Sequence, residues 1–374
     1  MATAALRFPP FLSSRAAPKT TAAACTRRTA SATLRVAALP ESAPVSAPAS
    51  TSEERPEFSP PAGVAALPES APVSAPASTS EERPEFSPPA GFAPPVPKRF
   101  AVKDGQLASV AGAALALPFR LGTGLFVLGY SVSLVSADKI PSDQYSLEFL
   151  GLKVKETSKI DQCRRPEKPI EIYEFEGLLH LHFVVVIFHV WKISVFMVAM
   201  YNFQGPTFRP KVLEMGGKKQ FPYMVDPNTG VAMYESDAII KYLADTYGDG
   251  TVPIMLSLGL FTTITAGLAM IWRVWKGSSY TVSKLPPQPI EIWAYEGSPF
   301  CKIAREALVE LELPHLLHSC ARGSPKRQEI FKKHGLFQAP YIEDPNTGVK
   351  MFESAEIVEY LRATYTLYPQ YQNL

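Results

Sequence analysis

Between Pro289 and Tyr365 the apolar positions change period several times, and each change marks an element. Residues 289–295, PIEIWAY, alternate apolar and polar, which predicts a strand, and Glu296-Gly297 ends it. Pro299 suits the first turn of a helix, where a missing N–H costs little. Ile303, Ala304, Ala307, Leu308 and Leu311 then recur at helical spacing until Pro314 stops the run. His315 to Ser319 reads as a second strand and Lys326 to Lys333 as a second helix. Pro340 to Glu343 and Val349 to Phe352 read as antiparallel partners around the turn Asp344-Pro345-Asn346-Thr347-Gly348. Ser354 is the expected cap of a last helix that carries Ile357, Val358, Leu361 and Tyr365 on one side. The predicted order is β-α-β-α-β-β-α.

Half of this pattern occurs twice. Residues 221–247 and 339–365 lie 118 residues apart and are identical at 16 of 27 positions. Self-similarity of this kind means one supersecondary unit built twice. The first copy starts with IEIYEFEG at 170–177, resumes at Gly205-Pro206-Thr207 and keeps Pro222, Glu235 and Ser236. Between them, residues 178–201 hold nineteen apolar residues of 24 without the one-sided pattern of an amphipathic helix. Three readings of 178–204 stay open. It is a membrane span with Lys192 as a costly interior charge, a remodelled core segment, or a translated intron. The last follows because Phe, Leu, Ile, Val and Met codons all carry U in the second position, and Asn202-Phe203-Gln204 can be encoded as a splice acceptor.

Two other stretches are apolar without a clear period. Residues 107–137 are long enough to lie on or in a membrane, and residues 253–272 run twenty positions without a charge before Arg273 and Lys276. The second stretch is either a span or a buried helix bridging two domains, since Gly259, Thr262, Thr263, Thr265 and Gly267 permit close packing. Thylakoid or envelope membrane association is therefore an expectation.

Composition adds a leader and a linker. Residues 1–38 carry Arg7, Arg15, Arg27, Arg28 and Arg35 among many Ser and Thr, with no acid before Glu41, the composition of an organelle transit peptide. The Arg35-Val36-Ala37-Ala38 stretch makes chloroplast the expected destination. Residues 36–63 recur unchanged at 64–91, and this Pro/Ala/Ser/Glu mixture predicts disorder from 39 to 97. Residues 98–168 and 249–288 read as apolar linkers around the two units at 169–248 and 289–366. A net charge of +2 that includes the leader arginines gives nucleic-acid binding no electrostatic support. Four scattered cysteines exclude a disulfide framework, and His180, His182 and His189 have no carboxylate or thiol nearby to complete a metal site.

The second unit resembles the glutathione S-transferase N-terminal domain, a thioredoxin-fold relative of glutaredoxin. The motifs that carry this are Ser298-Pro299-Phe300-Cys301 after the first strand, Pro340 opening the third and Glu353-Ser354 at the last helix. The resemblance covers 289–366 well and 169–248 in part, and implies an α/β thioredoxin fold in two copies, the first disrupted. The whole layout looks like the tandem thioredoxin-like proteins of plant plastids.

That resemblance implies glutathione, or another thiol peptide, as ligand. Ser298 would donate a hydrogen bond to its thiolate. Cys301 would either form a mixed disulfide with it in glutathione-dependent thiol transfer or be an inert buried residue. The alternative function is a catalytically silent, membrane-associated binding or scaffold module. A serine cannot attack a disulfide, so SxxC does not work as a two-thiol oxidoreductase. Pro340 matches the cis-proline that presents backbone to the peptide. Glu353 and Ser354 match the residues that hold the γ-glutamyl end, where a helix N-terminus also suits a carboxylate. Pro222, Glu235 and Ser236 form the degenerate counterpart in the first copy. Arg322, Lys326 and Arg327 are candidates for the glycine carboxylate or simply a solvated cluster. Conjugation of bulky electrophiles is not expected, because no helical domain follows to form their wall.

Overall fold

The computed structural model describes residues 86–98, 101–119, 122, 124–174, 188, 194–199, 207–258, 261, 264–265, 267–268, 273 and 280–367. The leader and most of the proline-rich tandem repeat lie outside these. Helices in chain order are α1 (Leu107–Ala114), α2 (Ala116–Phe119), α3 (Arg209–Gly216), α4 (Ser236–Tyr247), α5 (Ile254–Ser257), α6 (Pro299–Glu310), α7 (Lys326–His334) and α8 (Ser354–Tyr365). Strands are β1 (Ser131–Ser136), β2 (Leu147–Phe149), β3 (Leu152–Thr157), β4 (Ile170–Glu174), β5 (Val195–Ala199), β6 (Tyr223–Asp226), β7 (Val231–Tyr234), β8 (Ile290–Ala294), β9 (His315–Ser319), β10 (Tyr341–Glu343) and β11 (Lys350–Phe352).

The second copy runs β8-α6-β9-α7-β10-β11-α8, the order its hydrophobic pattern predicts. Alternation along β8 places Ile290, Ile292 and Ala294 in the core. Cys301, Ala304, Ala307 and Leu308 form the buried face of α6, and Leu311 and Leu313 continue the core beyond it. That helix stops where Glu312 takes a left-handed φ of 48° ahead of Pro314.

The two copies share one eight-stranded sheet, ordered β11-β10-β8-β9-β5-β4-β6-β7. The order is palindromic. In each half the first strand lies between the hairpin and a parallel second strand, and the two second strands, β5 and β9, pair antiparallel at the centre, Val195 opposite Leu317. This seam decides against the spanning reading for the described part of residues 178–204. Val195–Ala199 is a sheet strand between β4 and β9 with Val195 and Met197 buried, and Phe188 is helical and fully buried, so the described part is a core segment and not a span. Val195 precedes His315 by 120 residues, as Ile170 precedes Ile290, so β5 holds in its copy the place of β9.

The first long apolar stretch is also corrected. Residues 107–137 break into α1, α2 and the start of a separate antiparallel sheet, β1-β3-β2, where a linker was expected. Gly122, Gly124 and Gly129, all at positive φ, interrupt any continuous helix there. Of residues 253–272 only α5 and isolated helical positions are described. No described helix is long and apolar enough to cross a membrane.

The turn of the repeated block accounts for much of its identity. In the second copy, buried Asp344 accepts hydrogen bonds from the hydroxyls of Tyr360 at 2.5 Å and Tyr365 at 2.6 Å and from Asn346 at 2.9 Å. Asn346 in turn exchanges two 3.0 Å bonds with the backbone of Gln288, just ahead of β8. In the first copy Asp226 receives Tyr242 and Tyr247, both at 2.7 Å, and Asn228 bonds the Lys168 backbone. Burial works to raise the Asp226 carboxyl, but the hydroxyls and Asn228 more than offset it and hold the group below the usual carboxylate range. Seven of the shared identities, Asp, Asn, Thr, Gly, two tyrosines and the intervening proline, thus belong to a clamp that ties hairpin, last helix and first strand together.

Candidate functional site

The site of the second copy lies at the N-terminal ends of α6 and α8. Ser298 has extended backbone (φ −101°, ψ 119°) and caps α6, its Oγ accepting from the Cys301 amide at 3.3 Å. The chain covers it almost completely, leaving Ser298 4 % exposed and Cys301 1 %.

Burial decides the chemistry of Cys301. Desolvation pushes its thiol up to about 11, against the opposing bonds of Ser298 and the Tyr295 backbone. A helix N-terminus contributes about 0.3–1 kcal/mol toward the thiolate, less than one pKa unit's worth of 1.36 kcal/mol. Cys320, just after β9, is also buried and is pushed further in the same direction by burial and by the neighbouring Cys301.

The other half of the site is built on β10 and α8. The Ala339–Pro340 peptide is cis, as is Phe221–Pro222 in the first copy. Glu353 has φ 74° and ψ 107°, and this turn, not a serine side chain, starts α8. Ser354 is the first helical residue and makes no capping bond, which corrects its expected role as cap. Glu235 repeats the geometry with φ 69°, and Ser236 opens α4. A non-glycine residue held in this region at the same place in both copies marks a position the fold determines strongly.

The Glu353 carboxylate accepts from Gln338 Nε2 at 2.7 Å and from the Lys98 backbone amide at 2.5 Å. In the first copy Gln220 bonds exposed Glu235 in the same way. Gln338 was absent from the sequence expectations. Its signal was there, since a glutamine stands immediately before both copies of the repeated block.

The three cations expected near the glycine end are engaged elsewhere. Arg322 pairs with Glu156 at 2.7 Å. Buried Arg327 donates to the carbonyls of Cys320 and Ala321 and stacks over Phe337. Lys326 meets His318 Nδ1 at 2.6 Å and Ser194 Oγ at 3.0 Å, across the seam between the copies. Ser298 and Cys301 thus stand at the N-terminal end of α6, Pro340 opens β10, Glu353 and Ser354 open α8, and the arginines and lysine are engaged in structural contacts. Pro222, Glu235 and Ser236 occupy the matching positions in the first unit, whose counterpart of the Ser298 turn lies outside the described residues. No His, Cys, Asp or Glu cluster suited to a metal occurs among the described residues.

The family model for the glutathione S-transferase N-terminal domain matches this chain at residues 188–251 and again at residues 293–369. No curated protein and no solved structure matches it. The two matches fall on the two halves of the eight-stranded sheet, the first starting within the remodelled segment.

Proposed function

We propose that the second copy is a binding module for glutathione or a related γ-glutamyl thiol peptide, without thiol-transfer chemistry of its own. One observation carries this reading. Gln338, beside cis Pro340, bonds Glu353 at the start of α8, whereas the one thiol of the Ser298 turn is buried and held protonated. In this module Glu353 meets the ligand's ammonium and the N-terminus of α8 its carboxylate, an arrangement supported by the charge of a helix end. Ser298 donates to the ligand's thiolate. No bond to sulfur forms or breaks. The Arg- and Ser-rich leader without an acid before Glu41 supports a plastid location for the module.

The test is calorimetric titration of the full chain with glutathione, paired with mass spectrometry of Cys301. Saturable binding that weakens about tenfold or more in Glu353→Gln, with Cys301 unmodified, is the expected result, since a hydrogen bond to a charged group is worth about 1.5–3 kcal/mol. A glutathionylated Cys301 that turns over would replace this reading with a thiol transferase, and no binding even once the chain over the site is loosened would overturn it.

A further inference from the structure

The recognition groups of the second copy are in use, and what uses them is the chain that precedes it. Residues 86–98 run along α8, where Phe86 lies 5.3 Å from the ring of Tyr365 and Phe92 lies 5.1 Å from Tyr360. The Lys98 amide then reaches Glu353, the acceptor a ligand's ammonium would need. Lys103 pairs with Glu359 on the same helix. Next α1 packs on α6, where Ser109 receives Arg273, itself paired with buried Glu306. The chain comes back over the turn that holds Ser298. A Cβ on Gly297 would stand 2.7 Å from Leu125 Cδ1, so this leucine rests directly on the turn. Backbone bonds between Leu125, Val127 and Arg322 fix it there, and Glu156 of β3 holds the Arg322 side chain.

We infer that residues 86–127 are an internal strap which competes with a γ-glutamyl thiol peptide for the second copy's site. The inference rests on the reading above. The strap covers both halves of that site at once, with Leu125 on the Ser298 turn and Lys98 on Glu353. Its grip on Glu353 comes from a backbone amide in an exposed stretch, with Val96 79 % exposed two residues earlier. Glu235 of the first copy has the same geometry, and among the described residues no counterpart of Lys98 reaches it. A ligand that takes Glu353 must displace Lys98, and the strap lifts from that end.

Hydrogen exchange of the full wild-type chain reads the competition directly, because the Lys98 amide loses its acceptor when glutathione binds. Saturating glutathione should speed exchange at Lys98 severalfold. Lys98→Pro, which lacks the donated N–H, and Leu125→Ala should each bind glutathione on the order of tenfold more tightly by calorimetry. Equal affinity in all three chains with unchanged exchange at Lys98 overturns the strap and leaves the binding reading standing. Absence of binding in all three, the variants included, overturns the binding reading and the strap's competitive role with it. The wild-type exchange measurement depends on no substitution, so a variant that folds poorly does not remove the test.

Discussion

The two copies of the repeated block carry the same clamp and meet opposite surroundings. Asp226 and Asp344 are both buried and both bound by two tyrosines of the following helix, yet Glu235 faces solvent whereas Glu353 is covered by Lys98. Identity between the copies therefore records two different things. The clamp is a folding requirement, since a buried carboxylate must be fully hydrogen-bonded wherever it occurs. The Gln–cis-Pro–Glu-Ser group is a shaped helix end whose use depends on what lies above it, and only the second copy has the Ser298 turn described beside it.

The clamp offers the strongest way to break this comparison. Asp344→Ala leaves two tyrosine hydroxyls and Asn346 without their acceptor, and should cost about 3–5 kcal/mol in chemical denaturation. Asp226→Ala should cost about as much. Because β5 and β9 join the halves into one sheet, both variants should shift a single transition. Two separated transitions, or a loss confined to one variant, would show that the copies are not equivalent in the fold.

Reactivity of the thiols comes second. With its thiol at about 11, Cys301 holds roughly 0.01 % thiolate at pH 7, against a few per cent for an ordinary cysteine. Alkylation of native protein at pH 8 should label half-buried Cys163 well before Cys301 or Cys320, and denaturant should abolish the difference. Rapid native labelling of Cys301 would restore the catalytic reading of SxxC.

The seam supplies a smaller effect with a defined sign. Burial, and then the charge of Lys326, push His318 down to about 4, although Glu291 at 2.8 Å pulls the other way. The ring is thus neutral in the folded chain and protonates more readily when unfolded. Its contribution is present above the unfolded pKa of about 6.5 and is lost as pH falls toward 4, about 1–3 kcal/mol in all. Denaturation midpoints measured from pH 7 to pH 4 should fall in wild type and fall less in His318→Gln.

How much of this was legible in the sequence follows from the range of each interaction. The elements of the second copy were readable because each is set by local periodicity and a nearby Pro or Gly, as with Ile303 to Leu311 before Pro314. Pro340, Glu353 and Ser298 were readable because they stand at fixed offsets inside those elements. The strand Val195–Ala199 was hidden, since its residues are apolar throughout and show no alternation to betray it. Lys98 and Leu125 were invisible for a different reason. Their partners Glu353 and Gly297 lie more than 170 residues away, and one contact uses a backbone amide that any residue would supply.

The smallest effect separates the contacts that hold the strap from those that merely accompany it. Lys103 reaches Glu359 at 2.7 Å, but both side chains stand largely in water. Exposed pairs of this kind are worth about 0–1 kcal/mol, because solvent screens the charges and ordering two long side chains costs entropy. Lys103→Ala should therefore change stability by less than about 0.5 kcal/mol and leave glutathione affinity within about twofold. Phe92→Ala, which removes an apolar ring packed on Tyr360, should loosen the strap more, giving tighter glutathione binding at the same salt concentration. Raising the salt from 0.05 to 0.5 M discriminates the two. If the surface ion pair held the strap, salt would mimic Lys103→Ala and tighten glutathione binding; if ring packing holds it, salt does nothing to loosen it, and only Phe92→Ala does.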